Sequence, residues 1–213
     1  MKRKVVNKSK SKELLRLETF SDGVFAIAIT LLILELIQVL HYSKEVPLQQ
    51  LLIDNWKSLI AFLFGFLTIL ICWINHHLVL SYTERTDIRL FWINGFVLLV
   101  VTFTPFPTAI LAEYLEKESN HAMAFFGFNY VMMSIAAYAI SAYVLNRLVR
   151  KEDSSLLYYH TLLYKYSIFY TLAAFFICFV SVPVAVLLYV ILFFIFAFPK
   201  EFSMMLLRRG LHK

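Results

Sequence analysis

Charged residues are scarce in this sequence of 213 residues. Asp, Glu, Lys and Arg together make up 16% of it, whereas they make up about 25% of a typical soluble domain. Hydrophobic residues reach 61%, above the roughly 45–50% that is usual for soluble chains. The composition therefore excludes a water-soluble globule and predicts one domain built inside a lipid bilayer.

The sequence also lacks the motifs of most catalytic and metal sites. Its only cysteines, Cys72 and Cys178, lie in separate apolar runs, which argues against a disulfide framework or a zinc cluster. The GxGxxG, Walker, GxSxG and HExxH motifs are all missing, so nothing indicates a nucleotide site, a serine nucleophile or a zinc protease. We therefore expect no enzyme activity, no metal and no cofactor.

The adjacent histidines His76 and His77 are the one pair that could suggest a metal site. Neighbouring residues on a helix point about 100° apart and seldom bind one ion together. Metal binding is therefore the weaker interpretation of this pair.

Long apolar runs dominate what is present. A helix needs about 20 apolar residues to cross a bilayer, and the sequence contains six such segments, at about 19–40, 57–82, 90–112, 122–146, 161–181 and 184–200. Pro183 should lie in the first turn of the sixth helix, directly after a tight hairpin. The sequence thus predicts an all-α integral membrane protein with six transmembrane helices.

Basic residues are distributed unevenly around these segments. Of the 20 Lys and Arg residues, all but Lys44, Lys57 and Lys117 fall at the termini or in loops of one side, which should be the cytoplasmic side. We expect a protein of the cell membrane with both termini in the cytoplasm, made of a basic N-terminal segment 1–18, a transmembrane domain 19–200 and a basic C-terminal tail 201–213. The asymmetry also accounts for the net charge of +6, so no nucleic acid or soluble partner is implied.

Four polar residues should lie at one level inside the first three spans, near their cytoplasmic ends: Asp22, His76, His77 and Asn94. Such residues are costly in a membrane and are functional candidates. We expect Asp22 to accept a hydrogen bond from His76 or His77, from Asn94, from Ser21 or from Arg16. Two interpretations of this network remain open, a clamp between helices and a proton relay.

The first span also has one continuous face. At 100° per residue, six of its residues share that face, and all but one of them are without a polar side chain: Phe20, Gly23, Ile27, Thr30, Leu31 and Leu34. Such a face is most often lipid-facing or packed in a core. The pattern alone does not indicate a pore.

A resemblance to a known family adds the missing information. Arg16 followed by Phe20-Ser21-Asp22 resembles the first helix of the transmembrane-protein-175 family of potassium channels. Trp73-Ile74-Asn75-His76-His77 and Trp92-Ile93-Asn94 resemble motifs of its second and third helices. These motifs cover the first three spans, about half of the chain.

The resemblance implies a six-helix channel subunit whose pore is lined by the first helix, without a TVGYG filter or re-entrant loop. Ile27 would form the narrowest apolar ring, Thr30 a hydroxyl layer, and Leu34 a second apolar ring, with Leu31 on the same face. Because the chain has one copy of this helix, a homotetramer is implied. An apolar ring can select potassium by the cost of dehydration and can close by dewetting, as a hydrophobic gate.

The same resemblance assigns a second set of residues to the polar network behind the pore helix: Arg16, Phe20, Ser21, Asp22, Trp73, His76, His77 and Asn94. An alternative is a proton-coupled secondary transporter that uses Asp22 and the histidines. The sequence shows no inverted repeat and no matching pair of interrupted helices, which are typical of such transporters. Passive conduction of potassium ions is therefore the favoured prediction.

Overall fold

The computed structural model describes residues 12–34, 36–37, 46–115, 117–150 and 154–210. Within these residues the chain forms nine helices and no β-strand: α1 Lys12–Leu31, α2 Leu48–Asp54, α3 Trp56–Ser81, α4 Ile88–Phe103, α5 Pro105–Tyr114, α6 Ser119–Arg147, α7 Ser154–Cys178, α8 Val182–Ala197 and α9 Pro199–Gly210. The predicted all-α class is confirmed. Residues 1–11 of the predicted N-terminal segment and 211–213 of the predicted tail lie outside the described residues.

Four stretches of the described chain are long and apolar enough to cross a membrane. They are α3, α4 together with α5, α6, and α7. The α8–α9 pair is a fifth candidate, although its two helices are bent by 82° relative to each other. Helix α1 carries Arg16, Glu18 and Asp22 within its described length, which makes it the most polar of the long helices that we expected to span.

The third predicted span is broken at Thr104. Pro105 lies in the first turn of α5, where its missing N–H and fixed φ are tolerated. The break lets α5 pack closely on α3, because Gly65 faces Thr108 there and a Cβ atom at Gly65 would come within 2.7 Å of the Thr108 hydroxyl. Glycine at this position permits the close approach of the two helices.

Hydrogen bonds between loops show which connections share an end of the bundle. The Glu84 N–H donates to the Leu148 carbonyl at 2.8 Å, and Thr86 donates to Glu13 at 2.9 Å. At the opposite end, Asn120 donates to the carbonyl of Phe179 at 3.1 Å. The start of α1, the α3–α4 loop and the α6–α7 loop thus lie together, as alternating spans require.

Asp87 fixes the start of α4 at the first of these ends. Its carboxylate accepts from the Leu90 N–H at 2.9 Å, the usual role of an N-cap aspartate, and also accepts from the Tyr143 hydroxyl of α6. The Tyr143 hydroxyl, followed by the backbone N–H, holds the pKa of Asp87 below its usual value. One carboxylate therefore caps α4 and ties it to α6.

Helix α1 lies on the outside of the bundle, against α3 and α4. Its inner face is mostly apolar, with Glu18 and Ser21 as the polar exceptions. The residues of this face are all buried: Leu14, Leu17, Glu18, Ser21, Phe25, Ala28 and Leu32. Burial of this face fixes the rotation of α1 about its own axis, because only one rotation places all of these side chains against α3 and α4. The opposite face of α1 is left exposed.

Candidate functional site

The exposed face of α1 is the face that the sequence pattern singled out. Phe20, Gly23, Ile27, Thr30, Leu31 and Leu34 are all exposed in the single chain. The exposed fraction is 60% for Ile27 and 48% for Leu34. This face is therefore free to line an ion path or to meet another surface.

Thr30 is the only hydroxyl-bearing residue of the six on this face. Its Oγ1 donates to the carbonyl of Ile27 at 2.9 Å, so the hydroxyl proton is used within the helix. A hydroxyl has one proton and two lone pairs. The oxygen lone pairs of Thr30 therefore remain available to coordinate a cation on the exposed side.

Behind this face, three buried polar residues form one chain of hydrogen bonds. His76 Nε2 lies 2.6 Å from Asn94 Oδ1, Asn94 Nδ2 donates to Ser21 Oγ at 3.0 Å, and Ser21 Oγ donates to the carbonyl of Leu17 at 2.8 Å. The chain joins α3, α4 and α1. At membrane depth each of these groups would otherwise be costly to bury.

The shorter contact between Asn94 and Ser21 is the donation from Asn94 Nδ2 at 3.0 Å, and Ser21 Oγ also lies 3.4 Å from Asn94 Oδ1. Because the Asn94 amide nitrogen donates to Ser21, its oxygen faces His76, and a carbonyl oxygen only accepts. His76 therefore carries its proton on Nε2 when the ring is neutral. The series ends at a backbone carbonyl of α1, so every member has a partner.

The two histidines have different environments. His76 is 5% exposed, and its ring packs on Phe25 of α1 with centroids 5.3 Å apart. His77 is exposed, and its ring packs on Trp73 with centroids 6.0 Å apart. The two imidazoles point about 100° apart on α3, so His76 packs on α1 and His77 packs on Trp73 of its own helix.

The partner of Asp22 differs from the donors that we expected. Asp22 Oδ1 accepts from the indole N–H of Trp73 at 2.8 Å, rather than from an imidazole, Asn94, Ser21 or Arg16. The reason is geometric: Ser21 and Asp22 point about 100° apart, so Ser21 faces Asn94 and Asp22 faces the edge of α3. A signal was present, since an indole N–H within a span needs an acceptor.

Arg16 and Phe20 form no hydrogen bond with either group among the described residues, although Asn94 lines the same groove as they do. Both line an open groove of about 660 Å³ between α1 and the start of α4, together with Asp87 and Phe91. The predicted set of network residues therefore divides into three groups: Ser21 with His76 and Asn94, Asp22 with Trp73 and His77, and Arg16 with Phe20. No group of three or more His, Cys, Asp or Glu residues in the described segments could hold a metal ion.

Comparison with known proteins shows similarity to proteins of the TMEM175 family. Residues 16–105, from α1 to the start of α5, match the family model of the endosomal/lysosomal potassium channel TMEM175. The chain is similar to a potassium channel of Chamaesiphon minutus, with 54% identity over 101 residues, which are 47% of this chain and 50% of that protein. It is also similar to a potassium channel of Streptomyces collinus, with 46% identity over 121 residues, 57% and 58% of the two chains.

The matches to these curated relatives cover about half of each relative's length. A solved structure is matched over nearly its whole length. The crystal structure of a lysosomal potassium-selective channel TMEM175 homolog from Chamaesiphon minutus has a TM-score of 0.77 and 36% identity to this chain, and the match covers 88% of this chain and 98% of that one.

We expect Asn94→Leu to destabilise the protein. Leucine keeps the volume but leaves Ser21 and His76 without their shared partner, and an unsatisfied buried polar group costs about 1–3 kcal/mol. The thermal unfolding midpoint of the purified protein should fall. Thr102→Val is the control on the same helix, because the Thr102 hydroxyl bonds only to carbonyls of α4. Equal midpoints for Asn94→Leu and Thr102→Val would contradict the role of the hydrogen-bond chain.

We expect Asp22→Asn to be milder than Asp22→Ala. Asparagine retains an oxygen that can accept from the Trp73 indole, whereas alanine removes the acceptor and leaves the N–H without this partner. Asp22→Ala should assemble poorly, as measured by native mass spectrometry. The thermal unfolding midpoint tests the pairing in a double-mutant cycle. If Asp22→Ala does not lower the midpoint further in a Trp73→Phe background, the two side chains are coupled. Full additivity of the two changes would show that they are not.

Proposed function

This chain belongs to the TMEM175 family of potassium channels, and from that premise we propose that it is the subunit of a passive potassium-selective channel. The observation that carries the proposal is the exposed face of α1, on which Ile27, Thr30 and Leu34 stand one above another. The matching chain of Chamaesiphon minutus is described as potassium-selective. Alternation of the described loops between two ends of the bundle supports a multi-pass membrane protein.

Six spans complete the proposed subunit. Helices α1 and α8 would add two spans to the four stretches described above. None of the 16 residues of α8 is charged. In α1, Arg16 and Glu18 would lie at the cytoplasmic interface, so the apolar part of the helix begins after Asp22. The basic loops around Arg85 and Arg147 would face the cytoplasm of the cell, together with both termini.

The pore requires more than one copy of the chain. Helix α1 lies at the surface of the bundle, so a single subunit cannot enclose a path along it. A closed, symmetric homotetramer would bring four copies of Ile27 to one level, four of Thr30 to the next, and four of Leu34 to a third. The chain of Ser21, Asn94 and His76 would hold each α1 at its rotation from behind.

Selectivity in such a pore would come from dehydration. A ring of Ile27 side chains offers no oxygen atoms to replace the water around an ion, so the ion that loses water at lower cost passes more easily. Potassium is that ion when compared with sodium. Thr30 would partly replace the lost water one turn beyond, through the oxygen lone pairs that its bond to Ile27 leaves free.

A flux assay tests the channel against a transporter. We expect the purified protein in liposomes to pass potassium faster than sodium, without saturation and without any need for a pH gradient. Saturable exchange driven by a pH gradient would instead indicate a proton-coupled transporter that uses Asp22 and the histidines. The hydrogen-bonded chain favours the channel, because His76, Asn94 and Ser21 end at a backbone carbonyl and offer no exit for a proton.

In the same assay, Ile27→Ala and Ile27→Gly should raise sodium permeability relative to potassium several-fold. The shorter side chains widen the ring and lower the dehydration requirement. Ile29→Ala is the control, because Ile29 is partly buried against the core and should affect stability more than selectivity. Unchanged selectivity in both Ile27 variants would remove this residue from the constriction.

Thr30→Val should lower potassium conductance or selectivity. Valine has nearly the same shape as threonine but removes the oxygen. The lost bond to Ile27 lies within the helix and should have little effect on the thermal unfolding midpoint, which separates a pore role from a structural one. Equal potassium currents in Thr30→Val and the parent protein would show that the hydroxyl serves only its own helix.

A further inference from the structure

A partly open cavity of about 60 Å³ lies between helices of the bundle, away from α1. Four helices surround it: α3, α6, α7 and α8. The lining consists of Thr68, Ile71, Cys72 and Asn75 of α3, Tyr130, Met133, Ser134 and Ala137 of α6, Tyr164 and Ser167 of α7, and Leu192, Phe193 and Phe196 of α8. No charged side chain is among these residues. An uncharged lining of this kind fits a small neutral molecule.

The hydroxyl of Tyr164 is the notable polar group of this cavity. Tyr164 is 6% exposed, and its ring stacks on Phe196 with centroids 5.1 Å apart. Its Oη makes no hydrogen bond with any residue that the structure describes, although a buried tyrosine hydroxyl usually has a partner. Two other hydroxyls of the lining are already engaged, Thr68 with Tyr130 and Ser167 with the Tyr164 carbonyl at 2.8 Å. Asn75 Oδ1, by contrast, is buried and has no partner among the described residues.

Ser134 offers a second polar contact across the cavity lining. Its Oγ accepts from Thr171 at 3.4 Å, a long bond that leaves its own proton free to donate. Asn75 is a third neighbour, held by its Nδ2 donating to the Phe196 carbonyl at 2.8 Å. The lining thus combines apolar walls with two hydroxyls and the Asn75 amide oxygen, each of which can make one more hydrogen bond.

We propose that this cavity binds a small neutral hydroxyl compound, either water or a short-chain alcohol, through the hydroxyl of Tyr164. A single water needs only about 10–15 Å³ of space, so the cavity has room for more than one water or for a small alcohol. An alcohol would place its hydroxyl at Tyr164 and its carbon chain against Ile71 and Leu192. The site lies within each subunit and does not depend on where ions pass.

Cys72 provides a built-in probe, because it lines the cavity and is partly exposed. In a Cys178→Ala background it is the chain's sole thiol. A thiol reacts as its thiolate, which forms readily only where water is present. We would measure the rate at which methyl methanethiosulfonate, a small neutral reagent, modifies Cys72 in the full-length purified protein.

Tyr164→Phe removes the hydroxyl and keeps the ring, and we expect it to slow the modification of Cys72 about tenfold through loss of hydration. Tyr166→Phe is the matched control, since Tyr166 lies on the same helix and is 63% exposed. An experimental structure of the parent protein should also show density about 3 Å from Tyr164 Oη. Equal rates for Tyr164→Phe and Tyr166→Phe, or no density at that place, would overturn the proposal.

Filling the cavity gives a second test and identifies the compound. Ala137→Leu adds volume inside the cavity and should slow the reaction of Cys72, whereas Ala173→Leu adds the same volume at an exposed position of α7. Addition of 1-propanol should slow the reaction saturably in the parent protein if alcohol binds, and leave it unchanged if the site takes only water. No difference between Ala137→Leu and Ala173→Leu would contradict the site.

Discussion

The requirement that polar groups buried between helices find partners within the protein determines how α1 is held. Ser21 lies on its inner face, where Asn94 and the carbonyl of Leu17 satisfy it. Ile27 follows six residues later, at about 240° around the helix. Once Ser21 is fixed inward, Ile27 must point outward, so a buried hydrogen bond decides which side chains the helix presents.

Asp22 adds a second constraint at the edge of the same helix. Its bond to Trp73 lies about 100° away from the bond of Ser21, so the two together restrict rotation in both directions. Two residues of α3 contact α1, Trp73 through Asp22 and His76 through the ring of Phe25. They are three residues apart and share one face of α3. A proposed pore whose selectivity depends on its diameter needs this kind of support, because apolar side chains alone pack against several helix rotations.

The sequence predicted the helices and their faces better than the pairing of side chains. Apolar length identified α3, α6 and α7, and the 100° periodicity separated Ile27 and Thr30 from Ser21, because both depend only on local geometry. The partner of Asp22 was not predictable in this way. It depends on the separation of α1 from α3 and on side-chain rotamers, neither of which is encoded in spacing along one helix. The break at Thr104 was likewise missed, although Pro105 marks it, since a proline can also kink a span without ending it.

The placement of polar residues separates two kinds of interior in one bundle. Near α1 the hydrogen bonds are complete and run in one direction from His76 to a backbone carbonyl, which suits a rigid support. Between α3, α6, α7 and α8 the polar groups are only partly satisfied, and Tyr164 keeps a hydroxyl free beside Phe196. Buried polar groups without hydrogen-bond partners are costly. Near α1 the side chains supply these partners themselves, whereas in the second region the proposed bound molecule would supply them. The support of α1 should therefore be insensitive to small solutes, while the packing of α8 against α3 should respond to them.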